Sequence, residues 1–153
     1  MLILIFAGVL VWALAGEPVF APTVENTEEI TETATTTGQT GPLTPSQLEA
    51  RVVVDAPMAN ATISSPITVS GKAPGPWYFE ASFPIEVRSA TGTVLGVGVA
   101  QAQGEWMTTD DVPFTVQIDV KNYKGPATIV LHRDNASGLP EHDASVSVPI
   151  IVQ

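Results

Sequence analysis

Two groups of side chains in this sequence carry atoms that chemistry could use. Asp134, Asn135, Glu141 and Asp143 crowd one Gly- and Pro-containing stretch, and Asp110-Asp111 precede an apolar run. Hard oxygen ligands of this kind suit Ca²⁺. Their spacing does not follow a helix–loop–helix calcium loop, and Asp and Asn also close turns on their own. Calcium therefore stands as the alternative to a solvated acidic loop. Ser137, His142 and Asp143 supply the letters of a hydrolase triad. No nucleophile-elbow sequence surrounds Ser137, and triads are recognised by geometry rather than by letters. Glu80 would need a second carboxylate at a defined separation to act as a catalytic acid, and the sequence places none; a structural hydrogen bond or ion pair is its expected role. Phosphate-cradling Gly loops, Cys/His zinc patterns and dinucleotide fingerprints do not occur. The expectation is a protein without catalytic residues or cofactor.

Binding is the remaining chemistry, and aromatic side chains are its usual carriers. Trp106 follows Gly104-Glu105, where a turn meets a strand. It either stacks on a sugar ring or grips a protein, or it plugs one end of the core. Tyr78 stands out of phase with Trp77 and Phe79, which are read as core, so Tyr78 is the surface candidate. Trp106, Tyr78 and Glu80 are the candidate binding residues.

These side chains must be positioned by strands. In Trp77–Arg88, read WYFEASFPIEVR, every odd position is apolar and every even one from Glu80 on is polar or Pro. A period of two means one face in a core and one in water. The pattern recurs at Arg51–Asp55, Thr62–Ala73, Thr93–Ala102, Val112–Val120, Ala127–Arg133 and Ala144–Val152, with turn signals between. In Thr93–Ala102 one face carries Leu95, Val97 and Val99, the other Gly96, Gly98 and Ala100. The small face predicts close approach of another backbone, or a bulge. About seven strands without an amphipathic helix predict an all-β, immunoglobulin-like antiparallel β-sandwich. The Cys…Trp…Cys signature of antibody domains is absent.

Composition divides the 153 residues into three parts. Residues 1–16 begin with an uncharged apolar run, shorter than a spanning helix wants. Ala13-Leu14-Ala15 offers small residues for signal cleavage, so a cleaved signal peptide and a short membrane anchor both remain open. Residues 17–46 are Thr- and Glu-rich with few large apolar side chains, and are read as a disordered tether. Residues 47–153 form the sandwich, long enough to bury a core without staples. There is no Cys, and hence no disulfide and no lipid-bearing Cys. The formal net charge is −10, and the six basic residues are scattered. Without a basic stripe, nucleic acid is excluded as a partner, and a membrane is reached only through the N-terminal segment.

SPITVSGKA, WYFEASFPIEV, GEWMTTDDVPF and DNASGLPEHDASVSVPI together resemble the GerMN-associated immunoglobulin-like domain of bacterial spore-germination and envelope proteins. The resemblance spans Val52 to Val152. It implies an immunoglobulin-like fold and an exported, tethered or secreted location, without an established ligand. The expected role is a non-catalytic module for protein interaction or spacing at the cell envelope. Its partner is an envelope protein or, alternatively, a cell-wall carbohydrate.

Overall fold

Alternating apolar residues become eight strands in the computed structural model, which describes residues 41–153. The expectations for the apolar head and for most of the Thr/Glu tether lie outside the described residues. The strands are β1 (Val53–Ala56), β2 (Ala61–Ile63), β3 (Ile67–Pro74), β4 (Ser82–Ser89), β5 (Val94–Ala102), β6 (Asp111–Ile118), β7 (Gly125–His132) and β8 (Ser145–Val152). Their hydrogen-bonded order is β1-β3-β6-β5-β4-β7-β8-β2. β5 and β6 pair only at Gln101↔Thr115 and Ala102↔Phe114. At that corner the sheet curls, so β1-β3-β6 forms one layer and β5-β4-β7-β8-β2 the other. This is an all-β, immunoglobulin-like fold.

The small face of β5 shows why the layers close so tightly there. A Cβ on Gly98 would lie 2.7 Å from Ile118 Cγ1, and one on Gly96 would lie 2.5 Å from the Asp119 carbonyl oxygen. The expected close approach is real, and it leaves Val97 and Val99 on the outer face. Between the layers, Trp77, Phe83, Phe114, Ile67, Ile85, Ile118, Ile129 and Leu131 are fully buried. Each such side chain contributes about 1.5–3 kcal/mol of transfer free energy. Phe83 is the hub of the aromatic packing. It meets Trp77, Tyr78 and Phe114 edge-on, with centroids 6.4, 5.1 and 5.0 Å away, the geometry that ring quadrupoles favour.

Three expectations need correcting. The stretch Thr62–Ala73 is two strands, not one, which makes the count eight. β2 pairs parallel with β8 in one layer, and β3 pairs antiparallel with β6 in the other. The chain changes layers at Ser64–Pro66, where Pro66 has no N–H for either ladder and Ser65 Oγ accepts from Val120 N.

Trp77–Arg88 is not one strand either. Gly75–Trp77 is a 3₁₀ turn, and Glu80 and Ala81 sit at φ 49° and 62°. Phe79 and Ser82 exchange both backbone hydrogen bonds across them at 3.0 Å. Left-handed values at both central residues match a two-residue hairpin turn of the I′ kind. Neither Asn nor Gly advertises this turn, so the alternation ran through it unbroken. Beyond it the phase holds, with Phe83, Ile85 and Val87 inward. Before it the phase fails: Tyr78 is buried and Phe79 is 44% exposed.

A short helix, α1 (Pro45–Glu49), precedes β1. Thr44 and Gln47 form a capping box, and Pro45 occupies the first turn, where no N–H is needed. One turn is too short to show a 3.6-residue period. Leu48 is nonetheless buried in the core, and Glu49 Oε1 accepts from Ser145 N on β8 at 2.8 Å. Folded chain thus begins inside the stretch read as a tether.

Candidate functional site

One end of the sandwich carries an apolar groove, built where the Gly75–Trp77 turn meets the loop after β5. Gly75 N donates to Asp110 O at 3.0 Å. A Cβ on Gly75 would lie 1.9 Å from Thr108 O and 2.5 Å from Trp106 O, so the two segments are in backbone contact that only Gly permits. The loop is held from its own side as well. Glu105 Oε1 accepts from Met107 N at 3.0 Å, and Thr108 Oγ1 accepts from Asp110 N at 3.1 Å. Arg51 donates to Thr109 O at 2.8 Å and to Asp111 Oδ1 at 2.5 Å. These contacts leave a groove of about 450 Å³ lined by Gly75, Pro76, Tyr78 and Trp106–Thr109.

Within it, Trp106 is half-buried and packs partly on the core. Trp106 thus packs on the core at the sandwich end while lining the groove. Met107 is 75% exposed. Tyr78 is only 4% exposed, which corrects its placement on the surface. Its hydroxyl donates to Val112 O at 2.7 Å, and burial pushes its pKa up to about 12. Tyr78 thus forms the floor of the groove rather than a free platform.

A second hollow of about 330 Å³ adjoins the first, sharing Pro76 and Tyr78 and adding Phe79, Arg133, Asp134 and Ser137. Arg133 is spent on backbone, donating to Pro76 O at 3.0 Å and His142 O at 2.8 Å. Asp134 has its pKa raised, first by burial and then by the Glu80 carboxylate. Glu80 therefore lies in a hairpin turn beside Asp134, not on a strand's polar face. Like charges brought together without a cation between them destabilise each other.

A family model matches residues 51–138, more than half of the chain: the immunoglobulin-like domain of bacterial spore germination. The chain belongs to this family. No curated protein and no solved structure matches it. Members of this germination-type family are not known as enzymes, and membership carries a coarse reading as an interaction module. The match covers α1's exit, β1 to β7 and the first part of the acidic loop, so it includes both walls of the groove.

The acidic loop of this germination-type domain is closed by its own hydrogen bonds. Asn135 Nδ2 donates to Leu139 O at 2.8 Å and to Asp143 Oδ1 at 2.7 Å. Turning its amide nitrogen to Asp143 gives that carboxylate a donor where a calcium site would place the ion. Glu141 belongs to an exposed 3₁₀ turn, Pro140–His142. Among the described residues, no three His, Cys, Asp or Glu side chains converge where a metal ion could sit.

Ser137 and His142 do meet, with Oγ 3.0 Å from Nδ1. Ser137 has one proton and directs it to Asn135 Oδ1 at 2.5 Å, which engages the hydroxyl in the turn's own hydrogen bonding. Asp143 is engaged by Asn135 and does not orient the imidazole. The three letters serve a turn.

Of the residues lining this groove, the sequence pointed to Trp106 and Tyr78 as binding candidates and not to Met107, Pro76 or Gly75. The Trp-Met pair between Gly104 and Asp110 was a usable signal, since nothing in the period of the flanking strands absorbs it. The groove itself could not be read, because its walls come from segments some thirty positions apart.

Proposed function

We propose that this domain is a non-catalytic interaction module of the bacterial cell envelope, exported and held or released by its N-terminal segment. It grips a protein partner in the groove between Pro76 and Met107. The observation that carries this reading is a groove preformed by backbone contact: Gly75 against Thr108 holds Trp106 and exposed Met107 in place before any ligand arrives. Preorganisation lowers the ordering cost of binding, and Trp and Met are enriched at the cores of protein interfaces. The surrounding carboxylates are self-bonded or mutually repelling, so the groove offers apolar contact with an acidic rim. With Tyr78 buried, Trp106 is the one aromatic face that this groove itself offers a sugar ring among the described residues, exposed Phe79 lying in the adjoining hollow, and this weighs against the carbohydrate alternative.

Residues 41–153 would be mixed with isolated cell-wall polymer and, separately, with whole envelope containing membrane proteins, and the pelleted fraction measured. Wild type would be compared with Trp106→Ala and Met107→Ala, each checked for folding by near-UV circular dichroism. Binding only to protein-containing envelope, reduced at least about tenfold in either folded variant as expected for a hot-spot side chain, supports the reading. Binding to bare polymer that depends on Trp106 and not on Met107 would replace it with the carbohydrate reading. No binding to either would leave a passive spacer.

A further inference from the structure

We propose that the free edge of β5 joins two copies of this chain by antiparallel strand addition. β5 is the longest strand among the described residues, VLGVGVAQA, and it contains neither a charged residue nor Pro. β4 follows one of its edges from Val94 to Gln101. On the other edge, among the described residues, β6 is paired only at Gln101 and Ala102.

The direction of the backbone groups decides what that second edge offers. Ala102 N donates to Ala81 O on the β4 side, and Gln103 N donates to Pro113 O on the β6 side. Alternation along an antiparallel ladder then points the N–H and C=O of Val97 and Val99 toward the β6 side, where β6 has already turned into the other layer. Pro84 lies opposite Val99 and has no N–H to exchange with it, which agrees with this phase. The side chains of Val97 and Val99 are 59% and 52% exposed. Their neighbours Gly96 and Gly98 lie inward, close against Asp119 and Ile118, which keeps the valines on the outer face.

Edge strands are ordinarily protected by shortness, charge, Pro or bulges. β1 is four residues long with Asp55 and a register shift, and β2 is three residues long. β5 has one irregularity, at Leu95 near its start, and is otherwise unguarded. Its occupant follows from charge. A chain of net charge −10 meets a copy of itself only where the local surface is neutral. β5 is neutral, and the nearest outer side chains on β4, Glu86 and Arg88, pair with each other at 2.6 Å. A two-fold arrangement presents this same uncharged strand to itself, as an isologous interface requires.

Residues 41–153 contain the whole described core and belong to one compact unit, so this piece is the one to measure. Sedimentation velocity from micromolar to millimolar concentration should show a monomer converting to a dimer. The Val97→Lys/Val99→Lys variant should stay monomeric with an unchanged circular dichroism spectrum. The chain has no Cys, so single thiols report contacts cleanly. Val97→Cys or Val99→Cys should form an intermolecular disulfide at least about tenfold faster than Met58→Cys, because pairing raises the effective thiol concentration; Met58 is also exposed but lies on the β1–β2 connection. A chain that stays monomeric at millimolar concentration and oxidises at all three positions alike overturns the proposal. So does a dimer that survives the double Lys substitution.

Discussion

Gly75 lies so close to Thr108 that a Cβ on the glycine would stand 1.9 Å from the threonine's carbonyl oxygen. That contact joins a 3₁₀ turn to a loop thirty residues later, and the groove exists because of it. The β3–β6 ladder ends beside it, at Pro74↔Asp111. Beyond that rung, the Gly75 N–H to Asp110 carbonyl bond and the absence of a side chain do the positioning.

Gly75→Ala should therefore destabilise the domain by about 1–3 kcal/mol, the usual cost of forcing atoms into a packed interior. Its particular signature is local. Trp106 emission should shift red and become more open to iodide as the loop is pushed outward, even in the folded state. Urea unfolding with Trp fluorescence checks both parts. An unchanged midpoint and spectrum would mean that the loop yields freely and that the groove is not preformed.

Tyr78 predicts a pH dependence with a definite sign. Its folded pKa is pushed up to about 12 from 10.0 by burial, so the folded state holds its proton longer than the unfolded chain does. Stability is then fully present below pH 10 and is lost as pH climbs through 12. Two pKa units correspond to about 3 kcal/mol. Tyr78→Phe removes this slope. At neutral pH it also leaves Val112 O without its buried donor, costing about 1–3 kcal/mol. Wild type and variant should thus differ most near pH 7 and converge in strong alkali, a comparison that denaturation at stepped pH can make.

The Glu80-Ala81 turn is conformationally costly for L residues, since left-handed backbone costs roughly 1–2 kcal/mol at each non-Gly position. Ala81→Gly, and separately Glu80→Asn, should each stabilise the domain by a fraction of that amount, because Asn-Gly is what this turn type favours. Glu80→Asn also removes the carboxylate that raises the Asp134 pKa. It should therefore gain more at pH 7 than at pH 3, whereas the gain from Ala81→Gly should not change with pH. Thermal melts at the two pH values separate the effects.

Much of the fold was legible because its cause is local. In Val112–Val120 the side chains at every second position meet the same layer, so alternation and burial coincide, and Phe114 and Ile118 are buried as their positions require. The Gly96–Gly98–Ala100 face was legible for a related reason: small residues in a strand record what must pass close by. Legibility failed wherever two apolar residues had different partners for the same local pattern. Tyr78 and Phe79 are both aromatic, and only the left-handed pair after them decides that Tyr78 goes in and Phe79 out. At Ser64–Pro66 the chain passes from a ladder with β8 to a ladder with β3's own partner, a change of neighbour that leaves no periodic trace.

The site divides in the same way. By itself the sequence determined the all-β class, the alternation within most strands, the uncharged β5 and the lack of cysteine, because each depends on residue type and short-range order. Tertiary structure alone decided that Trp106 and Met107 face Pro76 across a groove and that Tyr78 is its floor. It also decided that Asn135 spends its amide on Asp143, and that among the described residues β6 follows one edge of β5 only at Gln101 and Ala102. Those facts depend on which distant backbones touch, and contacts between distant segments are set by packing the whole core rather than by any window of the chain.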